Sequence, residues 1–311
     1  SSSVATRAAS IVLPMPTSFM CSIWACLTDG SYDHRYLAVN AFSGCKVRIG
    51  GDVTEEGTAA MWAESDIAVG DLLASRVLGS AGQIDESVRV SSWWADRGIA
   101  IVPAELNRDR LFELAQRCRE SANSDWVSFL WHVLAWGVMG DYRNSPTIVA
   151  SAAGDEQRHR LNDILRAASE ASYRGDIRAA YTAIRGKVPR LGPAFFSKFL
   201  YFTADRDLSG RRAMILDSRV NAAIFTLTGR DYSEEKPAIY ENFCAAVHEW
   251  SQKFDTPADV IEFRLYQFGQ LIDSRRWKWL HAEVSLYREG RTQVGFDDIA
   301  ERRAHLTGWT R

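Results

Sequence analysis

The sequence has few of the features that mark a membrane, disulfide-rich or zinc-binding protein. Its five cysteines are an odd number and widely scattered, with no Cys-x-x-Cys pair and no histidine spaced to complete a zinc site. Reduced thiols in a cytoplasmic protein are therefore expected. The longest apolar run, residues 126–140, is shorter than the roughly 20 residues that a membrane-spanning helix needs, and it contains His132.

The chain also lacks an overall basic charge. Its formal net charge at pH 7 is −2 and its isoelectric point is about 6.3, so it has no general positive field that would attract nucleic acid nonspecifically. Any DNA contact must therefore come from a local patch. With 46% hydrophobic residues, including 11 Trp and 14 Phe, the 311-residue chain can fill the core of one large or two modest domains.

Residues 1–105 are predicted to form a mixed and less regular region. Short β-like runs cover Tyr36–Phe42, Lys46–Ile49, Val88–Trp94 and Ile99–Val102. A helix is predicted from a cap-like Thr54 to residue 78. Pro103 and the turn-forming residues 107–109 separate this region from the rest of the chain, which places a domain boundary at 105/106.

Residues 106–311 are predicted to form a helical domain, because apolar residues there recur at the i, i+3, i+4 spacing of amphipathic helices. The predicted helices cover residues 111–118, 125–138, 156–172, 176–186, 194–204, 218–229, 237–254, 258–272 and 277–290. No repeat or heptad array is visible. The expected fold class is therefore mainly α, a compact helical bundle with a less regular N-terminal region.

A Gly-Pro hairpin between two predicted helices is the first candidate binding element. Gly192 allows the backbone to approach a phosphate closely, and Pro193 suits the first position of a helix whose N-terminal amides face an anion. Lys187 and Arg190 supply the local positive charge that the chain as a whole lacks. The same residues also fit an ordinary connection between two helices, and the hairpin alone does not separate the two interpretations.

Asp217 is the first candidate catalytic residue. It follows an apolar segment and precedes a predicted helix, so its carboxylate suits an N-cap. A carboxylate held ionised at that position could also stabilise an oxocarbenium-like sugar or orient an attacking amine or water. One residue can serve both purposes.

These two parts resemble the helix-hairpin-helix DNA glycosylases. That superfamily has a Leu-Pro-Gly-x-Gly hairpin followed by two apolar residues and an Asp at a helix start; Val188–Gly192 reads VPRLG, and Ile215–Asp217 reads ILD. The segments LGPAFFSKFLYF and ILDSRVNAAI are similar to the bacterial 8-oxoguanine-glycosylase-like branch. The resemblance covers roughly residues 125–275.

The resemblance implies a monomeric enzyme that binds double-stranded DNA containing a modified base. Such an enzyme flips the base out of the duplex and cleaves its N-glycosidic bond without a metal or an organic cofactor. The first expected base is 8-oxoguanine, and another modified base, including a modified phage base in a defence context, is the second. The expected site comprises Asp217 and Lys198 in catalysis, Lys187, Arg190, Gly192 and Arg219 on DNA, and Phe195 and Trp131 in the base pocket.

Two positions depart from the family pattern. Arg190 replaces the first hairpin glycine and adopts a positive φ less readily, so a differently shaped hairpin is expected. Ala194 stands where the Schiff-base lysine of the bifunctional enzymes is expected, while Lys198 lies one helical turn further on the same face. The separation 217 − 198 = 19 nevertheless matches the family's lysine-to-aspartate separation.

Lys198 therefore has two interpretations. Either it is the nucleophile, with lyase activity as a consequence, or it contacts the base or a phosphate while Asp217 and water carry out hydrolysis. Its phenylalanine neighbours provide an apolar environment that favours a free amine. Because Ala194 occupies the expected lysine position, a non-catalytic helix-hairpin-helix DNA-binding protein is the alternative function, and an unrelated helical scaffold is a third.

Overall fold

The computed structural model describes residues 69–272, apart from residues 76, 77, 79 and 139. The β-like runs predicted within residues 36–49, most of the helix predicted from Thr54, and the helix predicted at 277–290 lie outside the described residues. Among the described residues, none of the helices combines the length and apolar content that crossing a membrane demands.

The described residues are mainly helical, which confirms the predicted fold class. Their helices are α1 (Arg108–Glu120), α2 (Trp126–Gly137), α3 (Ser145–Ala150), α4 (Asp155–Tyr173), α5 (Ile177–Ile184), α6 (Pro193–Thr203), α7 (Ser218–Thr228), α8 (Pro237–Lys253) and α9 (Ala258–Ile272). Residues 69–74 are also helical. Two short 3₁₀ turns, Ala81–Asp85 and Ala95–Arg97, precede α1.

Side-chain caps explain where several of these helices begin. The side-chain oxygens of Asn107, Asp125, Asp176 and Asp217 accept hydrogen bonds from amides in the first turns of α1, α2, α5 and α7. Such a cap satisfies amides that have no carbonyl partner within the helix. The start of α6 uses Pro193 in the first turn instead, as the sequence predicts.

The two β-like runs predicted within the described residues are wrong in most of their extent. Within Val88–Trp94 only Val88–Arg89 forms a strand, which we call β1, and it pairs antiparallel with β2, Glu105–Leu106. The run Ile99–Val102 contains no strand. Ile99 and Ile101, like the neighbouring tryptophans, pack against the helical core instead of entering a sheet, whereas Val102 is exposed.

One hydrophobic core holds the described elements together. The central helices α2 and α6 contribute a row of buried aromatic and aliphatic side chains to it. Leu72, Trp94 and Leu106, which precede α1, are buried in the same core. The boundary at 105/106 stays a prediction, and residues 69–106 share their core with the helices that follow.

Candidate active site

The predicted hairpin connects α5 to α6. Val188 and Leu191 are buried and anchor it to the core, and the Leu191 amide donates to the Val188 carbonyl oxygen at 3.2 Å. Arg190 lies between them at φ 64, in the left-handed region that favours glycine. Arg190 therefore adopts a positive φ although glycine does so more readily, and the hairpin keeps a positive-φ turn at this position.

The outer surface of the hairpin is open and positively charged. Lys187 and Arg190 are exposed, and neither side chain has an ion pair or hydrogen-bond partner within the described part of the chain. A Cβ atom added at Gly192 would meet nothing within 4 Å, so an external group can approach this backbone. The Phe195 and Phe196 amides already donate to the Gly192 carbonyl oxygen, which leaves fewer α6 amides for an anion than the sequence predicts.

Asp217 uses its two carboxylate oxygens for different purposes. Its Oδ1 accepts from the Arg219 and Val220 amides, both at 3.0 Å, and so caps α7. Its Oδ2 lies 3.5 Å from the Lys198 Nζ. The side chain is 13% exposed, which leaves a narrow approach from solvent. The cap orients the carboxylate, and the second oxygen stays available for chemistry.

Lys198 points its amine at this carboxylate from α6. Its side chain is only 9% exposed, and the Nζ donates to the Ala194 carbonyl oxygen at 2.9 Å. The lysine stem lies against the last residue of α2, Gly137, where an added Cβ would come within 2.9 Å of the Lys198 Cδ. The amine and the carboxylate are thus brought together inside the protein, although they lie 19 positions apart in sequence.

Asp217 is the last residue of a stretch without helix or strand, residues 211–217, which we call the approach segment. Side chains of α8 hold its first half. The Arg212 amide donates to His248 Nε2 at 3.0 Å, and the Tyr240 hydroxyl donates to the Met214 carbonyl oxygen at 2.7 Å. Because the buried backbone of this segment is in no helix or strand, such side-chain partners are what satisfy it.

Helix α9 supports the other side of Asp217. At Gly269 an added Cβ would lie 2.2 Å from the Arg219 carbonyl oxygen, so only glycine permits this contact between α9 and the first turn of α7. The Arg219 Nη1 donates to the Tyr266 hydroxyl at 3.0 Å. The arginine predicted to bind DNA therefore also contacts α9, and its role on DNA stays a prediction.

One buried and one partly buried ion pair lie at the α9 side of the site. Arg108 Nη2 is 2.7 Å from Glu262 Oε2, its Nη1 donates to the Tyr201 hydroxyl at 3.1 Å, and Arg212 pairs with Asp259. Burial raises the pKa of Glu262; Arg108 opposes this rise, and the negative charge of Asp217 adds to it. The Asp217 carboxylate therefore interacts electrostatically with α9.

The two residues predicted for a base pocket lie in different settings. Phe195 is half-buried, and its ring centroid is 6.0 Å from the Lys198 Nζ. Trp131 is buried in α2, with its ring centroid 6.5 Å from that of Trp94. Phe195 therefore lies beside the Lys198 amine, whereas the Trp131 ring packs near Trp94, and both pocket assignments stay predictions.

No group of three or more His, Cys, Asp and Glu side chains within the described residues could hold a metal ion. Cys118 and Cys244, the two cysteines in this part of the chain, are free thiols. Burial raises the pKa of each to about 12, which keeps both protonated and unreactive near neutral pH.

A protein-family model described as "Putative 8-oxoguanine DNA glycosylase OGG-like protein" matches residues 81–266. The match spans more than half of the chain and includes the hairpin, Lys198 and Asp217. The chain belongs to this OGG-like family. Comparison with curated proteins and with solved structures finds no significant match.

Membership of the OGG-like family supports a DNA glycosylase-type function, with DNA as the substrate. The sequence analysis named both Lys198 and Asp217. It missed the residues that pack or hydrogen-bond around them: Gly137, Ser197, Tyr240, His248 and Gly269. The glycines had a signal, because an isolated glycine within a helical pattern often marks a close contact.

Proposed function

We propose that this OGG-like protein is a DNA N-glycosylase that takes a modified base, 8-oxoguanine first, out of the duplex and excises it. The observation that carries the proposal is the buried pair formed by Lys198 Nζ and Asp217 Oδ2, 3.5 Å apart and next to a hairpin with an open, basic surface. An amine beside an ionised carboxylate is the combination that cleavage of an N-glycosidic bond can use.

In the first route Lys198 is the nucleophile. Its neutral amine forms a bond to sugar C1′ while the bond from C1′ to the base breaks, and the base leaves with that electron pair. The amine then loses a proton, for which Asp217 Oδ2 is a nearby acceptor. Opening of the sugar ring, whose oxygen takes up a proton, gives an imine. Removal of a proton from C2′ of this imine, with departure of the 3′ phosphate, then breaks the strand.

In the second route a water molecule attacks C1′, and Asp217 stabilises the positive charge that develops on the sugar. Lys198 then contacts the base or a phosphate and forms no bond. Both routes need the Asp217 charge, and they differ only in the covalent intermediate. The close contact between Lys198 and Asp217 favours catalysis over the non-catalytic alternative, for which Ala194 was the argument.

Excision can be tested on duplex oligonucleotides that each carry one modified base, treated with alkali after incubation. The set includes 8-oxoguanine opposite cytosine and modified bases found in phage DNA. Strand breaks at one modified base support the proposal and identify the substrate. Binding without breaks on every duplex would instead indicate a DNA-binding protein, and neither binding nor breaks would indicate a scaffold.

Arg190→Gly is expected to stabilise the protein while weakening its binding to DNA. Glycine removes the strain of a side chain at φ 64, about 1 kcal/mol, and the substitution removes one positive charge from the hairpin. Affinity should fall by similar factors for modified and unmodified duplex, with a slope against salt reduced by about 1. Thermal unfolding and binding at several salt concentrations measure both effects.

Asp255→Gly is the matched control, because Asp255 is the other non-glycine residue with positive φ in the described part of the chain, at φ 46. It should relieve strain without weakening DNA binding. If both variants bind duplex as the wild type does, the DNA-binding surface lies elsewhere.

Gly137→Ala is expected to slow base release by about 10- to 100-fold, because the new methyl group displaces the Lys198 stem. Overpacking destabilises the fold by about 1–3 kcal/mol, partly offset by the better helix propensity of alanine. Single-turnover rates at a temperature where the variant is folded measure the effect. Gly82→Ala is the control, since its new Cβ would lie 3.5 Å from the nearest atom, and equal rates in the two variants would contradict the prediction.

A further inference from the structure

Ser197 is a fully buried serine inside α6, directly before Lys198. Its Oγ accepts a hydrogen bond from the Leu216 amide at 3.1 Å and donates to the Leu216 carbonyl oxygen at 3.3 Å. Leu216 in turn directly precedes Asp217. One side chain therefore links the two backbone positions that adjoin the reacting pair.

This contact differs from the usual behaviour of hydroxyl side chains within helices. They commonly bond back to the carbonyl one turn earlier, as Thr203 of α6 does with the Phe199 carbonyl oxygen at 2.9 Å. The Ser197 hydroxyl instead acts as both donor and acceptor toward Leu216 of the approach segment. Leu216 is buried and has no backbone partner among the described residues, so Ser197 supplies the partner for its amide and its carbonyl.

We propose that Ser197 is a positioning residue, which sets the separation of the Lys198 amine and the Asp217 carboxylate by clamping Leu216 to α6. The inference rests on the proposed function, since a small displacement of either group lowers the rate of a positioned reaction. Ser197 is suited to this role because Tyr240 and His248 hold the approach segment from α8, further from Asp217, whereas Ser197 holds it from the helix that carries Lys198.

Ser197→Ala removes the clamp, and Ser172→Ala is its matched control. Ser172 is also fully buried in a helix, and its Oγ donates to a backbone oxygen of α6, that of Leu200, at 2.6 Å. We expect Ser197→Ala to lower the single-turnover rate of base release at least about tenfold below that of Ser172→Ala, with duplex affinity unchanged in both. Equal rates in the two folded variants would overturn the proposal.

A second measurement does not depend on activity. The chain has six lysines, so protein labelled with ¹³C at lysine Cε gives few enough NMR signals for Lys198 to be assigned by its loss in Lys198→Arg. We expect Ser197→Ala to shift the Lys198 signal and Ser172→Ala to leave it in place. An unmoved Lys198 signal in Ser197→Ala would overturn the clamp.

The two measurements separate failure of the clamp from failure of the proposed function. A wild-type protein that releases no base from any duplex would defeat the proposed function, and the NMR comparison would still decide whether Ser197 positions the pair. If Ser197→Ala does not fold, Ser197→Cys replaces it, with Ser172→Cys as control, because a thiol is a weaker donor and acceptor than a hydroxyl.

Discussion

Asp217→Asn is expected to slow base release by about 10²- to 10³-fold while duplex affinity stays close to that of the wild type. The asparagine keeps a side-chain oxygen for the Arg219 and Val220 amides, so the cap of α7 survives. At the other position an uncharged NH₂ group replaces Oδ2 opposite the Lys198 Nζ. The charge that would stabilise the sugar in the transition state is lost, and single-turnover kinetics on the modified duplex measures that loss.

Asp176→Asn is the matched control for this substitution. Asp176 caps α5 by accepting from the Ala179 amide at 2.9 Å, and no lysine within the described residues pairs with it. Because Asn and Asp are similar as N-caps, both variants should change the free energy of unfolding by less than about 1 kcal/mol. A rate for Asp217→Asn as high as that for Asp176→Asn would show that Asp217 is a cap and not a catalytic residue.

The positions of Lys198 and Asp217 in the fold could be predicted, because the sequence signals for both are local. Asp217 follows an apolar segment and caps the helix that begins after it. Lys198 lies on α6, which begins at the proline of a Gly-Pro pair. A short stretch of sequence therefore specifies the backbone conformation near each residue. Their separation of 19 positions, which matches the lysine-to-aspartate separation of the family that the chain resembles, then indicated that they form a pair. The positions of α1, α2 and α4 to α9 were predicted for the same reason, since amphipathic periodicity repeats within each helix.

The side-chain contacts that support the site could not be predicted, because the two partners of each contact are distant in sequence. Arg108 and Glu262 are 154 positions apart, and Arg219 and Tyr266 are 47 apart. Nothing in the local pattern of either member specifies the other. Such groups meet only through the packing of elements that are distant in sequence, as Arg219 and Tyr266 do where α9 packs beside α7.

The prediction errors outside the site have a similar cause. Residues 88–102 combine β-branched and aromatic residues in a pattern typical of strands, yet the aromatic ones are used in the core: the Trp93 ring stacks on Tyr142 at 4.7 Å, and Trp94 is buried. Tertiary packing there overrides local preference. The opposite error is α3, Ser145–Ala150, whose six residues are too few for a periodic signal.

Lys198→Gln is expected to abolish formation of a covalent adduct that borohydride can trap, together with strand cleavage in the absence of alkali. The amine is the group that forms the imine, and glutamine cannot replace it. Lys236→Gln is the control, because Lys236 is an exposed lysine paired with Glu234 and should leave trapping unchanged. Gel analysis after borohydride treatment detects the adduct, and peptide mass analysis shows which of the six lysines carries it.

The same experiment distinguishes the two routes for base release. If water is the nucleophile, the wild type gives no trapped adduct but still produces alkali-labile sites, and Lys198→Gln weakens binding to the modified base. We expect the covalent route, because the 3.5 Å contact with Asp217 Oδ2 provides an acceptor for the proton that the amine must lose. Excision of a modified base without any trapped adduct would exclude that route and leave Asp217 and water as the mechanism.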